Sequence, residues 1–505
     1  MHSPEPSPPA LPPGFQQPLW TTRAGELHSL SWIGGLRAQE DGSLAAALAE
    51  HCQVEALQVH CWTPGQVAIV AQFLRSGSRL VEVSLEGDGL SDVSAILDLA
   101  QAIGDCPALR RVHLRGGMTD GAGVALAAAL EGNAGIEVLD ILGDKCSIGS
   151  VTGLAMAKAL RANTALRALR LAGHGIGGET GTALAESLRV NRTLEQLSLA
   201  GCGTGFGEAF RDAMLGLFGV NSTLRGLAIE NHRMSDTETA VMAEVLSVQG
   251  PLECLQLICA GIGNATGAAI SRGLGANSTL TALCIDGLHI GEETLLALAP
   301  ALRRNEGLRK LVVQNPCLHL GLETTVGDAL AELLRSNASL RSLKLVVGHA
   351  GDVLCAGLAA GLAGNASLTS LELQGEGIGE AAAASLAQCL DRNVMLKSLR
   401  LHSGAHGLPE LTGHNEPVLL EMPSDRASGS TFGSTSRRHA PSALGEPGAV
   451  VLAALARNRS LAWSWRLVAW VTRKAGSALL REAVAAMGEA GFQHMLFAFF
   501  LPPAA

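Results

Sequence analysis

Histidine and cysteine are the first residues to test for chemistry, and their spacing works against it. His402, His406 and His414 lie close together in a Gly-rich stretch, where they read as solvated loop side chains and not as metal ligands. No His-Glu-x-x-His and no Cys-x-x-Cys occurs, and no Gly-Lys pair exists to build a phosphate-cradling loop. No cofactor is expected. What remains is a row of polar side chains, each midway between two apolar residues of a short alternating stretch: His113, Asp140, Arg170, Gln256, Lys344, Glu372 and Arg400. Glu82, Arg111, Asp286 and Lys310 flank that row. Mixed sign and moderate polarity suit a specific protein surface better than a phosphate backbone, which demands cations alone. These seven are the candidate partner-binding residues.

Their positions come from a phrase, Asn-x-(Thr/Ser)-Leu-x-x-Leu-x-Leu. It reads Asn191-Arg-Thr-Leu-Glu-Gln-Leu-Ser-Leu199 and Asn221-Ser-Thr-Leu-Arg-Gly-Leu-Ala-Ile229. It starts again at Asn277, Asn305, Asn337, Asn365 and Asn393, with a commonest interval of 28 residues. Alternate leucines place one face of a short strand on a core, so the residue between them faces outward. A second half begins near Ile-Gly, as at Ile176-Gly177 and Ile290-Gly291, and continues as an Ala/Leu helix such as Gly181–Leu188. The Asn that follows each helix is expected to end it in the left-handed conformation. Weaker copies run back through Ile136, Leu109, Leu80 and Val54 to Leu27, and the copy at Leu252 has Gln249 in the Asn place. A period in the twenties built on Leu-x-x-Leu-x-Leu marks a leucine-rich-repeat solenoid of about fourteen units.

The helix in every unit and the 28-residue period resemble the ribonuclease-inhibitor type of leucine-rich repeat, over residues 24–402. That type is also found in Ran GTPase-activating proteins and in the C-terminal arrays of immune receptors. The resemblance implies an α/β horseshoe with parallel strands on the concave face and helices on the convex one. Gly123-Val-Ala-Leu-Ala127, Gly181-Thr-Ala-Leu-Ala185 and Gly327-Asp-Ala-Leu-Ala331 are also similar to GALA-like bacterial effectors delivered into host cells. Cys284-Ile-Asp286 copies a Cys-x-Asp motif of another effector class, but it falls inside a repeat strand. The position three residues after the last strand leucine varies (His174, Cys202, Ala260, Leu288), so the side-chain ladder common to the type is expected to be incomplete. Three functions follow in order: a non-enzymatic protein-recognition scaffold, a host-delivered effector that binds a host protein, and a regulator of a small GTPase.

The domain reading is a disordered Pro/Ser-rich leader at 1–19, the repeat array at 20–402, a disordered insertion at 403–447, and the last repeat helix with a C-terminal cap at 448–505. The insertion follows from spacing, since Asn393 to Asn458 spans 65 residues. All six tryptophans lie toward the two ends (Trp20, Trp32, Trp62, Trp463, Trp465, Trp470), as expected if large aromatics cover the exposed end faces of the stack. A net charge of −9 argues against nucleic acid as a partner, and no apolar run reaches the roughly 18 residues of a membrane span. Eleven cysteines without paired spacing fit a reducing, cytoplasmic setting; export into a host cell by a non-Sec route is the alternative. The partner is expected to be a protein, and the chain a monomer.

Overall fold

The computed structural model describes residues 15–16, 29–32 and 39–402, apart from 51–52, 78, 144–146, 202–205, 231–232, 320–323 and 391. The expected 403–447 insertion, the last repeat helix and cap at 448–505, and His406 and His414 lie outside the described residues. Within the stretch 1–19, Phe15 and Gln16 pair antiparallel with Trp32 and Ser31. Two compact units divide the chain, Met1–Cys259 and Ala260–Ala505.

In the first unit the strands are β1 (Phe15–Gln16), β2 (Ser29–Trp32), β3 (Ala56–His60), β4 (Glu82–Glu86), β5 (Arg111–Arg115), β6 (Val138–Leu142), β7 (Ala168–Gly173), β8 (Gln196–Gly201), β9 (Gly226–Glu230) and β10 (Cys254–Ile258). From β2 to β10 each strand pairs in parallel with the next in chain order, without a slip in register. Helices alternate with them: α1 (Gln39–Glu50), α2 (Pro64–Arg75), α3 (Val93–Asp105), α4 (Asp120–Gly132), α5 (Ser150–Ala162), α6 (Gly178–Leu188), α7 (Glu208–Phe218) and α8 (Asp236–Ala243). The second unit holds α9 (Asn264–Ala276), β11 (Ala282–Asp286), α10 (Glu292–Arg304), β12 (Lys310–His319), α11 (Thr324–Ser336), β13 (Ser342–His349), α12 (Gly351–Leu362), β14 (Ser370–Glu376), α13 (Glu380–Leu390) and β15 (Ser398–His402). Its strands β11 to β15 are again parallel and sequential. This is the α/β leucine-rich-repeat solenoid fold.

Register explains the core. Val112, Leu139, Leu169, Leu197, Leu227 and Leu255 form one row across the strands, and Leu114, Ile141, Leu171, Leu199, Ile229 and Leu257 form the next. All are buried. Each such side chain contributes roughly 1.5–3 kcal/mol relative to exposure, so the stacked rows are the main cohesive element. Behind them the helices approach closely. A Cβ on Gly123 of α4 would lie 2.3 Å from Thr152 Oγ1, and one on Gly153 of α5 would lie 2.2 Å from Thr180 Oγ1. Only a missing side chain permits that spacing.

The recurring asparagines do something other than the left-handed ending expected of them. Asn163 has φ −72° and ψ 132°, and Asn133, Asn277 and Asn305 are likewise extended. Their side chains instead stitch successive repeats. Asn191 Nδ2 donates to the carbonyls of Leu160 (2.8 Å) and Asn163 (3.0 Å), at the end of α5 where the preceding repeat begins. Its Oδ1 accepts from the amides of Thr193 (3.0 Å) and Leu194 (2.9 Å) in its own. Asn163, Asn221, Asn305, Asn337, Asn365 and Asn393 repeat the arrangement. A side chain with two donors and two acceptor sites is what four otherwise orphaned backbone groups at a helix end require. Extended backbone at that point aims the amide backward, which a left-handed residue would not.

Helix starts are completed across repeats as well. Gly149 precedes α5 and has no side chain to cap it. Asp120, in the repeat before, accepts from Gly149 N (2.8 Å), Thr152 N (3.1 Å) and Thr152 Oγ1 (2.6 Å). Asp352 does the same for α13, accepting from Gly379 N (3.3 Å) and Ala382 N (3.0 Å). A carboxylate at a helix N-terminus is favoured by both the free amides and the dipole.

Candidate functional site

Five of the seven candidate residues fall into two charged rows on the strand face that alternates with the leucines, and a sixth, Arg400, ends the second row. In the first unit, Ser84, His113, Asp140, Arg170, Ser198, Ala228 and Gln256 share one register line across β4 to β10. The structure links the charged ones through space. Glu82 on β4 accepts from Arg111 Nε at 2.7 Å, and its other oxygen lies 3.9 Å from His113 Nε2. His113 Nδ1 is 2.9 Å from Asp140 Oδ2, and Arg170 Nη1 is 3.5 Å from the same oxygen. Asp140 is thus held between a histidine and an arginine, and its side chain is only 13% exposed. Gln256 stands apart at the far end of the unit, beside Ala228 and 9% exposed.

In the second unit the line reads Cys284, Val312, Lys344, Glu372, Arg400 on β11 to β15. Glu372 accepts Lys344 Nζ at 3.0 Å and lies 3.4 Å from Arg400 Nη1. Cys284 and Val312 are buried, so this central line is apolar on β11 and β12 and polar from β13 onward. Asp286, the carboxylate of the Cys-x-Asp pattern, accepts from Gln314 Nε2 at 2.9 Å. The motif is a strand segment in which the thiol is covered.

The residue types Ser84, His113 and Asp140 stand in register in the order of a hydrolytic triad. Ser84 makes no hydrogen bond to His113, and the histidine's second nitrogen faces Glu82 instead. The arrangement works as an electrostatic network. Cys355, buried in α12, is no nucleophile either, because burial pushes its thiol up to about 12. No group of histidine, cysteine and acidic side chains among the described residues could hold a metal ion, and no described helix is long and apolar enough to cross a membrane. Of the tryptophans expected at the ends, Trp32 closes β2 and Trp62 follows β3. Trp62 is half-buried, with its ring centroid 4.2 Å from that of His60.

One charged row was missed by attention to strand centres. The residue just after the first apolar residue of each phrase lies one position before the strand, and from β5 to β10 these residues alternate in sign: Arg110, Glu137, Arg167, Glu195, Arg225 and Glu253. Consecutive members are joined by backbone hydrogen bonds. Arg110 pairs with Glu137 (3.9 Å), Arg225 with Glu253 (2.6 Å) and Arg167 with Glu195. The signal was present in the sequence as Leu-Arg or Leu-Glu at repeat spacing.

No family model matches this chain, and no curated protein matches it either. Among solved structures it is similar to one described as the crystal structure of the Rad7 and Elc1 complex in yeast. That match has 16% sequence identity and a TM-score of 0.40, and covers 67% of this chain and 84% of the other.

Proposed function

We propose that this protein is a non-enzymatic recognition scaffold whose strand face, opposite the helices, binds another protein. One observation carries the reading: charged side chains of both signs on adjacent strands are tied into networks across β4–β7 and β13–β15. Networks of this kind hold long side chains in fixed positions before binding, which lowers the ordering cost of a polar interface. Electrostatic complementarity of mixed sign also gives specificity more than raw affinity. The ribonuclease-inhibitor type of repeat is our reading of the array, supported by a helix in every described repeat and by the 28-residue interval. A cytoplasmic setting suits the eight described cysteines, all of them free thiols. The host-delivered and GTPase-regulating alternatives gain no support from the described residues.

The test is capture of partners by the purified chain, repeated with Arg170→Glu and Arg400→Glu. Each should reduce capture while the chain stays folded at the assay temperature; the midpoint should fall by a few degrees at most, because each new carboxylate meets Asp140 or Glu372 at a partly exposed position. Undiminished capture with both variants removes the strand face as the binding site.

A further inference from the structure

The strand-start row changes character between the two units. In the first, each of Arg110, Arg167 and Arg225 faces a glutamate on the adjoining strand. In the second, the same row reads Thr281, Arg309, Arg341, Thr369 and Lys397, joined by the same backbone hydrogen bonds and without an acid. Arg309 and Arg341 donate to the carbonyls of Ser339 (3.0 Å) and Ser367 (2.8 Å), which steadies them but neutralises nothing. Arg309, Arg341 and Lys397 are all exposed.

Adjacent positions deepen the contrast. The next register line on β12 to β15 is Lys310, Ser342, Ser370 and Ser398, and the line after it holds Lys344, Glu372 and Arg400. Six cations and one carboxylate therefore occupy a patch four strands wide, on a chain whose net charge is −9. Glu372 already bridges two of the six. Like charges gathered in excess of their counter-ions destabilise a folded surface slightly, so the patch suits an anionic ligand better than it suits the free protein.

From this we infer that the β12–β15 end of the strand face binds an extended acidic peptide segment, rich in Asp and Glu. The inference rests on the recognition reading above and names its partner class. Geometry favours a peptide. Strands lie about 4.8 Å apart, so Arg309 on the β12 side and Lys397 on the β15 side are about 14 Å apart across the sheet. An extended chain advances about 3.3 Å per residue, which brings carboxylates four residues apart to a similar separation. The row of serine hydroxyls between the cations supplies neutral donors to the peptide's carbonyls. A nucleic-acid backbone fits less well, because Glu372 sits inside the patch where a phosphate would pass.

The experiment uses the full chain and fluorescence anisotropy with a labelled 12-residue glutamate-rich peptide. A Gly/Ser peptide, a peptide with phosphoserine in place of the glutamates and a single-stranded oligonucleotide serve as comparisons. The wild-type chain should bind the glutamate peptide with an affinity that falls as salt rises from 50 to 400 mM. Arg309→Gln with Arg341→Gln should weaken it roughly tenfold, as expected for two partly exposed ion pairs. Arg309→Lys with Arg341→Lys keeps the charge and should stay within about threefold, which guards against a folding defect in the first variant. Arg167→Gln with Arg225→Gln, whose arginines have acidic neighbours, should change nothing. Failure to bind the glutamate peptide, equal binding by the Gln double variant, or tighter binding of the phosphopeptide or the oligonucleotide overturns the inference. If the glutamate peptide fails while Arg170→Glu still lowers partner capture, the recognition reading survives and the acidic partner falls.

Discussion

Replacing one stitching asparagine should open the solenoid locally, and Asn191 is the position where the cost can be worked out. Its side chain makes four hydrogen bonds to backbone groups, two to the carbonyls of Leu160 and Asn163 and two from the amides of Thr193 and Leu194. Asn191 is 4% exposed, so water replaces it poorly. At about 1 kcal/mol net for each bond, Asn191→Ala forfeits about 4 kcal/mol, reduced to about 3 kcal/mol where water reaches half-buried Thr193. Asn191→Asp is the sharper probe because shape is kept and only the donors change. A carboxylate there would face two carbonyl oxygens at the distance of a hydrogen bond, so burial and repulsion favour its protonated form. Its penalty should therefore be small at acidic pH, and should grow as pH rises past the ordinary carboxylate range. Because a repeat array need not unfold in one step, the readout is hydrogen exchange at the Leu194 and Thr193 amides alongside urea unfolding. Protection of the Leu194 amide in Asn191→Asp equal to wild type at neutral pH would refute the stitching role.

Three further outcomes are expected. Thr180 is fully buried and its hydroxyl has no partner, because the position that Asp120 occupies one repeat earlier is Ser150 here. Ser150→Asp should supply the missing acceptor and raise stability by about 0.5–1 kcal/mol, whereas Thr180→Val should be close to neutral; a thermal melt reads both. For Asp120, burial acts to raise the pKa, but the Thr152 hydroxyl and the amides of Gly149 and Thr152 outweigh it, leaving the carboxyl below its usual value. A depressed folded-state pKa adds stability in full above the unfolded value of about 3.9 and loses it as pH falls through the folded one, so Asp120→Ala should cost about 1 kcal/mol at pH 7 and almost nothing in strong acid. Finally, maleimide at pH 7.5 should label exposed Cys317 in the folded protein and reach Cys355 only after denaturation, as mass spectrometry of digests would show.

Much of this was readable in the letters, and the part that was not has a physical reason. Period-2 leucines fixed the strands, their sequential parallel order and the outward direction of His113, Asp140 and Arg170. Repeat spacing then implied that these three share a line, which the register shows. The role of asparagine was misjudged because a recurring residue type gives a position without a backbone angle. The bonds that explain it join residues about 30 apart, such as Asn191 and Leu160, and depend on how tightly one coil lies on the last. Close approach came from Gly153 against Thr180, a pairing that no local pattern displays. The alternating Arg/Glu row was legible all along, but it sits three residues before the strand centres such as His113 and Asp140, where binding residues are usually sought.

Stitching and capping share a direction. Each asparagine reaches back to carbonyls already placed in the coil before it, and Asp120 and Asp352 finish the helices that come after them. A nascent chain leaving the ribosome would meet these partners in the order it needs them, every new turn landing on a finished template. Shortening the gene from its 3′ end should accordingly be gentler than trimming the same length from the 5′ end, where the first surviving turn inherits unmet donors and an uncapped helix.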